Sequence, residues 1–331
     1  KNGDYTSLKL NLNLSKTLEI RQSIITHTAS IFDPDMFLVD KEPLGLRGEV
    51  EETLKLLNRR GKRCVIGLRD VMDEPRALDR EWRRKGVLPG LHRYYRDIWV
   101  YGLPEIFDPI SEITGMSRLA DRVSFTGYIE RSPSDADFAS SGFQPPPQPY
   151  ILVTAGGGGD GAGLIAWVIR AYESDPTIPH PALIIFGPFM HLEQRMAFQA
   201  RVDRLPAVHA TTFEAKPEAL YQNAIGVVAM GGYNTFCEFL SFDKPALIVP
   251  RSEPRQEQLI RAERAARMGL LRFLPEGDNP RAEEMAAALH QIAEWPRPSK
   301  ELRSRLLGGL DRIAELCAPV FEPTTRAASS A

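Results

Sequence analysis

Short apolar runs alternate with helix-period patterns along almost the whole chain, which is the signature of βαβ units around parallel sheets. In the first half the runs Met36–Asp40, Arg63–Leu68, Asp97–Tyr101 and Arg122–Thr126 read as buried strands. Helical spacing covers Leu18–Ile31, Glu49–Arg60 and Leu78–Tyr95. In the second half the pattern predicts strands at Tyr150–Thr154, Ala182–Phe186, Val208–Thr211, Gly226–Ala229 and Ala246–Val249, with a short one near Leu270–Phe273. Helices are predicted at Gly161–Glu173, Leu192–Arg204, Pro217–Gln222, Asn234–Leu240, Gln256–Met268, Arg281–Glu294 and Lys300–Leu316.

The periodicity lapses between Glu130 and Pro149, where Ser, Asp and a Pro-Pro-Pro run favour extended backbone. A fresh apolar run starts at Tyr150, so the gap reads as a linker. The expected organisation is an α/β chain of two Rossmann-like domains: residues 1–130, a linker at 131–149, residues 150–321, and a disordered tail at 322–331.

Composition narrows the picture in three ways. With 331 residues the chain can form two cores, and a formal charge of −2 gives no electrostatic case for nucleic-acid binding. The basic run Arg83-Arg84-Lys85 reads as a solvated face, or at most a contact with a membrane surface. Cys64, Cys237 and Cys317 are far apart and lack metal-ligand spacing. An odd, sparse set suits a reducing cytosol. No run reaches membrane-spanning length, so the expected location is cytoplasmic, with the inner membrane surface as the nearest variant.

Chemistry concentrates in two glycine clusters that each follow a predicted strand and open a predicted helix. The first is Ala155-Gly-Gly-Gly-Gly-Asp-Gly161, with Gly156, Gly157, Gly158 and Gly159 consecutive. Bare amides at a helix N-terminus attract anions, and glycine lets a phosphate come close. The spacing fits a dinucleotide fingerprint, but the next strand ends Phe186-Gly187-Pro188 without the acid that would hold a ribose, which disfavours a nicotinamide enzyme. Asp160 reads as a helix cap or a contact for sugar hydroxyls.

The second cluster is Gly231-Gly232-Tyr-Asn234-Thr235-Phe-Cys-Glu238. Thr235 and Glu238 have capping-box spacing, so one reading is a well-started helix. The other holds a diphosphate on the amides and the Asn234 and Thr235 side chains, with Glu238 accepting from ribose hydroxyls. After the next strand, Glu257 and Gln258 fall in the first turn of a helix, where an acid and an amide suit paired contacts with a sugar. An acid there also complements the helix dipole.

Taken in order, these residues resemble the C-terminal domain of GT-B glycosyltransferases of family 28, which includes the UDP-N-acetylglucosamine transferase of peptidoglycan synthesis. A bacterial subgroup of predicted glycosyltransferases is the nearest in pattern. The resemblance spans Tyr150 to about Leu316. It implies two facing domains and a metal-independent, inverting hexosyltransferase that needs no cofactor. Its partners are a nucleotide-sugar donor, expected to be UDP-linked, and an acceptor that is a small molecule, glycan or lipid. Glu238 would then bind ribose, Gly231 to Thr235 the diphosphate, Glu257 and Gln258 the donor sugar, and the base would stack near Phe213. The family's first domain begins with a strand and a Gly-His-Gly loop, and nothing similar precedes Asp35. About two βα units, roughly 30 residues each, are therefore expected to be missing, and with them the catalytic base. Asp40, Glu42 and Asp70 are the acids left for that role, each equally explained by a salt bridge or cap. Two alternatives stand beside the transferase. One is a sugar-nucleotide 2-epimerase, which needs carboxylates and a histidine around the sugar, whereas His191 and His209 each read as partly buried structural residues. The other is a catalytically silent nucleotide-sugar-binding protein.

Overall fold

The computed structural model describes residues 13–321 apart from 133–144, 158, 215–216, 276 and 278. Most of the expected linker, the expected tail and Gly158 lie outside the described residues. The first domain runs α1 (Leu14–Phe32), β1 (Met36–Asp40), α2 (Glu51–Arg59), β2 (Arg63–Arg69), α3 (Pro75–Lys85), α4 (Val87–Tyr94), β3 (Asp97–Tyr101), α5 (Pro109–Glu112) and β4 (Val123–Phe125). Its strands are parallel and stand in chain order, β1-β2-β3-β4. The stretch Leu78–Tyr95, expected as one helix, is two. Gly86 takes a left-handed conformation (φ 64°), which ends α3 and lets the chain turn into α4. Arg83, Arg84 and Lys85 occupy the last turn of α3 and are exposed, so the run is a solvated face complementing the helix dipole.

The second domain runs β5 (Tyr150–Thr154), α6 (Ala162–Ser174), β6 (Ala182–Ile185), α7 (Leu192–Val202), β7 (Val208–Thr211), α8 (Glu218–Asn223), β8 (Ala224–Ala229), α9 (Tyr233–Ser241), β9 (Ala246–Ile248), α10 (Glu257–Arg267), β10 (Arg272–Phe273) and α11 (Ala282–Gln291). The six strands are parallel, in the order β10-β9-β8-β5-β6-β7. All five residues of β5 are buried, as a central strand covered on both faces requires, and this explains its unbroken apolar run. The strand order reverses between β5 and β8.

Lys300–Leu316, expected as a single helix closing the second domain, is broken at Gly308-Gly309 into α12 (Lys300–Leu306) and α13 (Gly309–Phe321). There Tyr128 donates its amide to Leu306 and accepts from that of Gly309, while Arg63 donates to the Leu316 carbonyl. Helix α13 thus lies against the first domain. One apolar core spans both domains, with Trp99, Phe107 and Tyr128 contiguous with Leu152, Phe236 and Leu306. A second core, built on Trp167, Val153 and Leu289, fills the other face of the second sheet. Among the described residues no helix is long and apolar enough to cross a membrane.

Candidate functional site

The reversal of strand order leaves a crevice beyond the carboxyl ends of β5 and β8, where the two crossovers depart to opposite faces. Both glycine clusters follow those two strands. They face each other across a cleft of about 280 Å³, lined by Gly156, Gly157, Gly231, Gly232, Asn234 and Thr235 among others. Residues separated by 75 positions in the chain are therefore brought to one place.

The fold itself explains some of these glycines. Gly156 has φ 61° and its amide is taken by the Thr154 hydroxyl. A Cβ on Gly161 would overlap that of Ala155, so α6 packs on β5 only with glycine there. Gly231 has φ 78°, and a Cβ would stand 2.7 Å from Ile248 Cγ2. Gly159 and Gly232 are different: a Cβ at either would meet nothing within 4 Å. Their bareness serves the open space, which is the property an approaching phosphate needs.

Neither helix at the cleft is capped by a side chain. Asp160 does not cap α6, whose N-cap is Gly161; it pairs with Arg251 instead. The capping box expected for α9 does not form. The helix starts at Tyr233, one residue early, which puts Thr235 third and Glu238 sixth and makes Gly232 the N-cap. The leading amides of α9 are thus left toward the cleft, with the positive end of the helix dipole behind them.

Charge around the cleft comes mostly from residues the sequence reading did not select. Arg251, just after β9, reaches Asp160 on one side and Glu257 (2.6 Å) on the other. Gln258 is buried, lines the cleft and accepts from the Arg251 amide at 3.1 Å. Glu257 stands behind it, bound to Arg251. Arg69 enters from the first domain, with its guanidinium carbon 5.7 Å from the centre of the Tyr233 ring. Lys41 is near enough for the charges of Arg69 and Arg255, after burial, to hold its ammonium pKa below the usual value. Position at a strand's carboxyl end was the available signal for Arg69 and Arg251.

Other expected residues stand apart. Glu238 lies off the cleft, half-buried near Tyr221; burial raises its carboxyl pKa, and Tyr221 and Arg131 oppose this only in part. Phe213 is 56% exposed at the end of β7, beside the turn that carries the exposed Phe189, whose ring abuts Gly157. Asp40 is exposed at the end of β1, and Glu42 pairs with Lys85 at 3.3 Å. Asp70 is 1% exposed and its carboxylate is consumed: Arg261 donates to both oxygens (2.7 and 2.6 Å) and the Tyr128 hydroxyl to one (2.8 Å). It has no access to an acceptor hydroxyl and is a structural ion pair. His191 and His209, expected to be partly buried, are both exposed, and no histidine lines the cleft.

The same arginine ties the cleft to the domain boundary, because Arg261 also donates to the Gly231 carbonyl at 2.9 Å. Around it α10 is bound to the first domain along its length. Asp73 accepts from the Gln256 amide and from Arg255, which also pairs with Glu81. Arg264 grips Glu112 and the Ile106 carbonyl.

Residues 151–298 match the glycosyltransferase family 28 C-terminal domain. Among solved structures, the glycosyltransferase of kitacinnamycin shares the fold with a TM-score of 0.61 at 16% identity, over 96% of this chain and 85% of that one. MurG of Acinetobacter baumannii gives 0.56 at 13%, over 96% and 84%. A UDP-GlcNAc 2-epimerase from Neisseria meningitidis, solved with UDP-GlcNAc, gives 0.58 at 15%, over 95% and 83%. No curated protein matches the chain in sequence. The architecture is the two-domain GT-B fold, as the family resemblance implied.

Proposed function

We propose that this GT-B chain, whose second half carries a glycosyltransferase family 28 C-terminal domain, moves a hexose-type sugar from a nucleoside diphosphate donor, UDP-linked, to an acceptor hydroxyl. The observation that carries the reading is the pairing of two glycine loops at the strand-order reversal, with open space at Gly232 and an uncapped helix behind.

The reaction joins the acceptor oxygen to the anomeric carbon as the bond to the diphosphate breaks, with inversion through an oxocarbenium-like transition state. Negative charge then grows on the departing diphosphate, where the α9 amides and dipole stabilise it without a metal ion. Gln258, which lines the cleft, is the group assigned to the donor sugar, and Glu257 behind it holds Arg251. The acceptor proton must pass to a base on the acceptor side; of the three acids considered for that role Asp70 is consumed, and Asp40 and Glu42 do not line the cleft. A 2-epimerase of the same fold would need acid and base groups around the sugar, and the cleft offers no histidine for it.

Titration calorimetry with UDP and UDP-sugars, in the presence of EDTA, tests the reading. Binding is expected, and no affinity for any uridine nucleotide overturns it. Gly232→Asp gives the sharpest control. Aspartate is a good N-cap, so the variant melts at the wild-type temperature or slightly above. Yet it puts a carboxylate where the phosphates sit, and UDP affinity falls at least tenfold. Unchanged affinity would remove the diphosphate from this loop.

A further inference from the structure

The cations at the cleft are not alike. Arg251 is held by Asp160 and Glu257, Arg255 by Asp73 and Glu81, and Arg261 by Asp70. Arg69 has no carboxylate within ion-pairing distance among the described residues. Its guanidinium instead lies over the ring of Tyr233, the first residue of α9, and faces the two glycine loops.

That placement sets a cation beside the first residue of a helix. A helix N-terminus carries partial positive charge, and a cation beside it is repelled. Lys41 adds to the excess, since it too has no ion pair among the described residues and its ammonium is disfavoured by burial and by Arg69. A face of Tyr233 recovers part of the cost through its π cloud. Asp160 on the other loop is already bound to Arg251, so an anion lying between Arg69 and the amides of Gly232 to Thr235 would answer both charges.

We propose that Arg69, supplied by the first domain at the end of β2, binds the diphosphate held on the second domain's glycine loops. Donor affinity then depends on both domains, although every donor residue selected from sequence belongs to the second. The charge that develops on the departing diphosphate falls between Arg69 and the α9 N-terminus. The inference rests on the reading of the cleft as a nucleotide-sugar site.

The test compares UDP and uridine binding to the full chain carrying R69Q or R69K, with melting temperatures as the control for folding. R69Q is expected to weaken UDP about tenfold or more, as loss of a charged hydrogen bond does, and to leave uridine unchanged. R69K, which keeps the charge but not the planar fork, should lie between the two. The UDP affinity of R69Q should also fall less steeply with salt than that of the wild type. An unchanged UDP affinity, or equal losses for UDP and uridine, overturns the role of Arg69. A wild-type chain that binds no uridine nucleotide overturns the cleft's reading together with it, whereas wild-type binding with an indifferent R69Q overturns Arg69 alone.

Discussion

The two sheets use the carboxyl ends of their strands in opposite ways. After β5 and β8 the second sheet presents backbone, in loops of glycine with uncapped helices behind them. After β2 the first sheet presents Arg69, Asp70 and Asp73, and the two acids are spent on α10 of the other domain. The second sheet also has a reversal of strand order, and the described part of the first has none. A reversal opens a crevice that side chains need not fill. Without one, strand ends are free to serve as a docking edge. The second sheet thus leaves open backbone at its strand ends, while the first spends two acids on the other domain and leaves Arg69 facing the cleft.

The contrast can be broken first at the join. Arg261→Ala strands Asp70 as a buried, uncompensated carboxylate, and should cost about 3–5 kcal/mol in chemical denaturation at neutral pH. A loss below about 1 kcal/mol would mean that the join does not hold the domains. In the binding half, Gly161→Ala forces a methyl into Ala155 and should cost about 1–3 kcal/mol by the same measurement. A neutral result would show that α6 can slide away from β5. The smallest effect concerns the half-buried Glu238. Asp70 has a guanidinium bound to it, whereas Glu238 has none among the described residues, and burial raises its pKa in the folded state against the smaller pull of Tyr221 and Arg131. The native form therefore holds its proton more tightly than the unfolded form. Stability from this group is present below the unfolded value near 4.3 and is lost as pH rises through the folded value. Glu238→Gln should match the wild type at low pH and exceed it at neutral pH. Equal stability at both would show that the carboxylate is well solvated.

The regular architecture was legible because parallel strands buried on both faces leave unbroken apolar runs, as Tyr150–Thr154 does. Breaks set by a single backbone conformation were not. Gly86 carries no more signal than any helical glycine until its φ is seen, and Gly308-Gly309 likewise hid the turn that sends α13 to the first domain. At the site, the glycines were readable because their type is restrictive. A capping box on Thr235 needs α9 to begin at Phe236, and it begins three residues earlier, at Tyr233. The charged residues escaped for another reason. Asp70 and Arg261 are 191 positions apart, and only the fold shows that one consumes the other.

The bond from Arg261 to the Gly231 carbonyl has a geometric consequence. Across a trans peptide the C=O and the following N–H point in opposite directions. Fixing that carbonyl toward the buried arginine turns the Gly232 N–H the other way, toward the open side. The domain boundary thereby sets the aim of an amide in the loop before any ligand arrives, and the loop has no flipped peptide to correct on binding.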